Sequence, residues 1–112
     1  MAAGKHDITL EQGATYNMQV RVEENGSPVD ITNYTFESQV RKSHYSSDVA
    51  ASFTTSLVNG PMGSFNISLT DTQTDALNPA FTHVYDVEVT SDTGTVTRII
   101  EGTVTVSPGV TR

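Results

Sequence analysis

The chain has 112 residues, enough for one domain, with a formal charge of −7 and no cysteine. An acidic surface repels phosphate, so nucleic acid is not an expected partner. The lack of cysteine excludes a disulfide framework, thiolate metal sites and cysteine nucleophiles. Hydrophobic residues make up 36% of the chain, below the ~45% usual for globular domains. Seventeen threonines and eleven serines fill the difference; threonine's branched β-carbon suits a half-solvated pleat, which predicts thin sheets with polar outer faces.

In chain order, Met1–Gly13 contains no apolar core of signal-peptide length, and no run approaches a membrane span, so neither export nor a membrane partner is expected. Ile8 and Leu10 alternate with polar residues in a short first strand. Tyr16, Met18, Val20 and Val22 share one face of the next, opposite Asn17, Gln19 and Arg21. "ENGSP" (Glu24–Pro28) has Asn-Gly turn chemistry. Val29 and Ile31 lead into Tyr34, Phe36 and Val40, with Glu37, Gln39 and Arg41 facing away. Lys42–Val49 reads as a solvated loop carrying His44 and Tyr45.

Phe53 and Leu57 mark one weaker strand, followed by a turn at "NGPMG" and a clean alternation of Phe65, Ile67 and Leu69. "TDTQTDALNP" predicts a single helical turn, capped by Thr70 or Asp71, anchored by Leu77 and ended by Pro79. Tyr85, Val87 and Val89 then oppose Asp86 and Glu88. Ser91–Gly94 form a turn, and Val96, Ile100, Val104 and Val106 return in phase. About seven strands at roughly ten-residue spacing suggest an antiparallel β-sandwich with at most one short helical turn.

Two details bear on that architecture. A helical turn ending at Leu77, followed by Tyr85, is compatible with the tyrosine corner of immunoglobulin-like domains, with Val20 and Val87 as paired core positions. Tyr85 as an ordinary core aromatic, its hydroxyl reaching water, is the other open reading. Arg98 and Ile99 break the alternation ahead of Gly102. Either a bulge near Arg98–Gly102 restores the phase, or Arg98 pairs with Asp86 or Glu88. The predicted core thus contains Val20, Phe36, Ile67, Leu77, Tyr85, Val87 and Val104.

No catalytic constellation emerges from these residue types. His6, His44 and His83 are the available imidazole bases, and none adjoins a serine in a strand-to-helix elbow. His83 reads as a strand residue with a satisfied ring. Asp86 and Glu88 share a face, with Glu101 a possible neighbour, but solvated carboxylates on a strand explain them without glycoside chemistry. Neither a calcium loop nor a phosphate-binding loop is present, so no metal or cofactor is expected.

Three segments taken together carry a resemblance: "ITLEQGATYNMQV" (Ile8–Val20), "GSPVDITNYTFESQVRKS" (Gly26–Ser43) and "YDVEVTSDTGTVTRIIEGTVTVSPGVTR" (Tyr85–Arg112). The sequence resembles small virion structural proteins of tailed bacteriophages, notably cyanophages, which look like single immunoglobulin-like or related β-sandwich modules. Asn33 departs from a glycine expected before the tyrosine, and Gly109 from a frequently acidic position. The resemblance implies a non-enzymatic protein, made in the host cytoplasm, that resides in the virion in repeated symmetric copies. There it would attach to or reinforce neighbouring phage proteins at the neck, tail or baseplate, with capsid decoration the alternative place. A carbohydrate- or receptor-binding module is the rival of another class. On this reading residues 1–6 are a flexible N-terminus, 7–107 the domain and 108–112 a tail. Pro108 and Gly109 would turn Val110, Thr111 and Arg112 outward for docking, and His44 and Tyr45 would offer a second contact.

Overall fold

The computed structural model describes residues 4–110. Its strands are β1 (Gly4–Lys5), β2 (Ile8–Glu11), β3 (Tyr16–Arg21), β4 (Glu23–Glu24), β5 (Ser27–Pro28), β6 (Thr35–Arg41), β7 (Val49–Ser52), β8 (Thr54–Asn59), β9 (Ser64–Leu69), β10 (His83–Thr90) and β11 (Val96–Ser107). One helix, α1 (Asp71–Asp75), lies between β9 and β10. The chain is therefore all-β in character, as its alternation predicts.

Eleven strands among the described residues exceed the seven expected. Three of the additions, β1, β4 and β5, are two-residue pairings too short to show in a periodic pattern. The weaker strand expected around Phe53 and Leu57 is two strands in different sheets. β7 belongs with β6, and β8 belongs with β9. Phe53 is the crossing point between them, buried and held by its amide donating to the Ser38 carbonyl at 2.9 Å.

The largest sheet runs β1–β11–β10–β6–β7, with β2 also lying along β11. Both β1 and β2 pair parallel to β11, while the other ladders are antiparallel. A second sheet has the order β3–β9–β8. The small β4–β5 hairpin turns at Asn25 and Gly26, whose φ values of 53° and 80° are those a two-residue primed turn requires.

The two larger sheets enclose one hydrophobic cluster. Leu10, Ile31, Val40, Phe65, Ile67, Val87 and Val104 are fully buried, and Val20, Leu77 and Tyr85 nearly so. Each such aliphatic or phenyl side chain contributes on the order of 1.5–3 kcal/mol. Phe36 is only half-buried, yet its ring stacks on Phe65 at 4.2 Å and so joins β6 to β9. A second aromatic line, Tyr16–Phe53–Tyr85, has centroid separations of 6.5 and 6.2 Å.

Three local expectations meet definite outcomes. Thr70 caps α1, with a reciprocal bond pair to Gln73, and Leu77 anchors the turn in the core. Both readings of Arg98 hold. Glu88 pairs with Arg98 and Val87 with Ile100, leaving Ile99 as the extra residue of a bulge, while the Arg98 side chain reaches Asp86. That shift leaves Val96, expected in the core phase, 58% exposed. Tyr85 is a core aromatic, 3% exposed, but its hydroxyl goes where neither reading put it. Its hydroxyl donates at 2.5 Å to the carbonyl of His6, far away in sequence, instead of to the preceding corner or to water.

The fold also begins before residue 7. Gly4 and Lys5 pair with Ile100 and Glu101, and the His6 amide donates to Glu101. Gly102 makes this approach feasible, since a β-carbon there would collide with the His6 carbonyl.

Candidate functional site

The outward residues of β6, β10 and β11 build a charged face on the largest sheet. Alternation places Glu37, Gln39, Arg41, Asp86, Glu88, Arg98 and Glu101 away from the core, because their neighbours fill it. Arg98 binds Asp86 at 3.1 Å and Glu101 at 3.5 Å, and Lys5 binds Glu101 at 2.9 Å. Arg41 donates to the Gln39 side chain at 2.9 Å and to the Ser46 carbonyl at 2.8 Å. Glu37 and Glu88 lie directly opposite one another with like charge, a destabilising arrangement in a sheet.

A shallow groove of about 260 Å³ crosses this face, lined by Gln39, Arg41, His44, Asp86, Arg98 and Glu101. The hydrogen bond from Lys5, then its charge, holds the Glu101 carboxyl below its ordinary range, with Arg98 and His44 adding to the effect. A carboxyl shifted in that direction is a poor proton donor near neutrality, opposite to what a general acid needs. The face offers paired charges and amides to a polar surface.

The residues singled out from sequence for contact lie on different parts of the molecule. His44 is exposed at the rim of the charged groove, and Tyr45 beside it is 98% exposed. Val110 is exposed after β11, where the preceding Gly109 amide donates to the Gln12 side chain at 3.3 Å. Thr111 and Arg112 fall outside the described residues.

His83 departs from its expected satisfied state. Its ring is buried and Nδ1 has no hydrogen-bond partner among the described residues. Burial holds its pKa below the usual histidine value; the nearby Lys42 charge acts in the same direction, against the Phe81 carbonyl. Lys42 itself sits over the Phe81 ring at 4.2 Å.

A further surface escaped the reading of the sequence. Between Asp48 and Asp71 no Asp, Glu, Lys, Arg or His occurs, although the chain carries −7 overall. This uncharged stretch contains β7, β8 and β9, and it leaves Val49, Leu57, Val58 and Met62 each about half exposed. The signal was a gap in the charge pattern, which hydrophobic periodicity does not register.

No protein-family model matches the chain. No curated protein is significantly similar to it.

Proposed function

We propose that this chain is a non-enzymatic structural protein of a tailed-phage particle, built as an immunoglobulin-like β-sandwich that attaches to neighbouring subunits. The order β2–β11–β10–β6–β7 facing β3–β9–β8, with an initial strand parallel to the last and a helical turn before β10, supports the sandwich assignment. The resemblance of its first, middle and last segments to small virion proteins supports the location, at the neck, tail or baseplate, or as a decoration of the capsid.

The observation that carries the attachment role is the pair of open sheet margins. β8 ends one sheet and β7 ends the other, each with a row of backbone groups that another chain can use. On the outward polar face, Lys5, Asp86, Arg98 and Glu101 are engaged in internal ion pairs. Tyr45, almost wholly exposed, favours a second reading, contact with a host glycan.

Mass spectrometry of gradient-purified particles, followed by a map of the intact particle, tests the proposal. The expected result is symmetric density for this domain against another virion protein. Its absence from particles, or a measurable turnover of a substrate, overturns the proposal. Specific, saturable glycan binding lost in Tyr45→Ala supports the second reading instead.

A further inference from the structure

We propose that two copies of this chain pair through β8, edge to edge and antiparallel, about a two-fold axis centred on Ser56. This deepens the attachment reading and rests on it for its role in the particle, while the contact itself rests on the following geometry.

β8 pairs with β9 on one side and ends its sheet on the other. Edge strands in monomeric proteins are normally guarded by charge, proline, bulges or a covering segment. β8, "TTSLVN", contains neither charge nor proline. Its irregularity, between Leu57 and Asn59, begins only after Thr54–Leu57 has paired regularly with Ile67–Ser68 and Phe65–Asn66. The opposite edge of the same sheet, β3, is guarded by the charge of the exposed Arg21.

The side chains indicate how much the edge leaves uncovered. Leu57 lies directly opposite Phe65, so both point toward the space between the sheets. Phe65 is fully buried, whereas Leu57 is 50% exposed, because among the described residues nothing closes the sandwich beyond β8. Val58, at the irregularity, and Met62, in the turn after β8, are 52% and 47% exposed.

Charge selects the occupant. Two copies each carrying −7 repel over most of their surfaces. The stretch between Asp48 and Asp71 brings no charge of its own to such a contact. An antiparallel pair of identical strands is also self-complementary in its backbone bonds, as an isologous contact requires. Sheet parity then restricts the register. A continuous sheet keeps each copy's core face aligned only if the axis passes through a residue, since a one-residue slip turns every side chain over. Centring on Ser56 sets Leu57 against Thr55 of the second copy on the core face, and keeps the irregular Val58 outside the paired centre.

Sedimentation velocity up to the millimolar range tests the contact. The mass is expected to rise with concentration from that of one 12.0 kDa chain toward that of two. Leu57→Lys should abolish the rise while circular dichroism and melting stay those of the parent. Because the chain has no cysteine, single replacements report cleanly. Ser56→Cys should form a covalent dimer under mild oxidation, and Gln19→Cys on the guarded edge should not. A wild type monomeric at every concentration overturns the inference, as does a dimer that survives Leu57→Lys or cross-links equally through Gln19→Cys. A monomer whose Leu57→Lys variant fails to enter particles assigns β8 to a different subunit, which overturns the second copy while leaving the attachment proposal standing.

Discussion

At one margin of the molecule, where β2 and β3 end the two larger sheets, polar bonds tie the segments together. Tyr85 reaches the His6 carbonyl, the Asp7 carboxylate accepts from the Thr103 amide at 2.9 Å, and Thr74 Oγ1 accepts from Gly13 and donates to the Ala14 carbonyl. Gln12 donates to carbonyls at both Asp75 and Leu77. At the other margin, where the chain crosses from β7 to β8, Leu57 and Val58 stand half exposed in a stretch of sequence without charge. The first margin joins the ends of its own chain; the second leaves its edge free for another. Polar side chains spent internally at one side make that side a closure, and their omission at the other leaves β8 an uncharged edge.

The largest expected effect comes from forcing the closed margin apart. Gly102→Ala places a β-carbon onto the His6 backbone, so β1 must move away from β11. The expected loss is about 2–3 kcal/mol, read from the denaturant midpoint, in the range for overpacking a tight site. A variant with unchanged stability would show that Gly4–His6 adds nothing to the fold.

Tyr85→Phe removes a single bond from the same seam and should cost about 1–2 kcal/mol. It also carries a pH signature. Burial, with the neighbouring Tyr16 and Asp7, pushes the Tyr85 phenol up to about 12. The unfolded chain releases that proton near pH 10, so the stability is fully present below pH 10 and is lost as pH rises toward 12. Tyr85→Phe should flatten most of this alkaline decline. The remainder belongs to Tyr16, whose phenol is also raised by burial.

Gln12→Ala should cost about 1 kcal/mol, because this side chain joins the α1 end, the loop after β2 and Gly109. Hydrogen exchange should speed up selectively at the Gly109 amide. Equal acceleration across the β7–β8 margin would contradict the separation of the two regions.

The closed margin was hard to foresee because its bonds join residues far apart in the chain. Alternation located the core strands well, since Val20, Ile67, Val87 and Val104 each lie in a period-two run that the sheets bury. The α1 cap was legible from Thr70 because its bond with Gln73 is local. Nothing local announces that Tyr85 meets His6, or that Phe53 carries the chain between sheets. Asn33 shows a middle case. Its φ of 68° lies in the left-handed region, which asparagine tolerates better than most residues other than glycine. For the contact surface, the exposure of Tyr45 and His44 was legible from their polar loop, whereas β8 was not, because an edge is defined by what fails to pair with it.

The smallest effect sharpens the comparison most. Leu57→Lys, measured in dilute protein where association is negligible, should change stability by no more than about 0.5 kcal/mol, as for a surface position. Leu57 is already half exposed, and a lysine stem can lie where the leucine does with its ammonium in water. The same change should abolish association at high concentration, so fold and contact separate in one variant. If Leu57→Lys instead costs as much as Tyr85→Phe in dilute solution, the β8 margin is part of the monomer's own core. Leu57 would then belong with the residues that close the sandwich, and the contrast between the two sides would fail at its most exposed point.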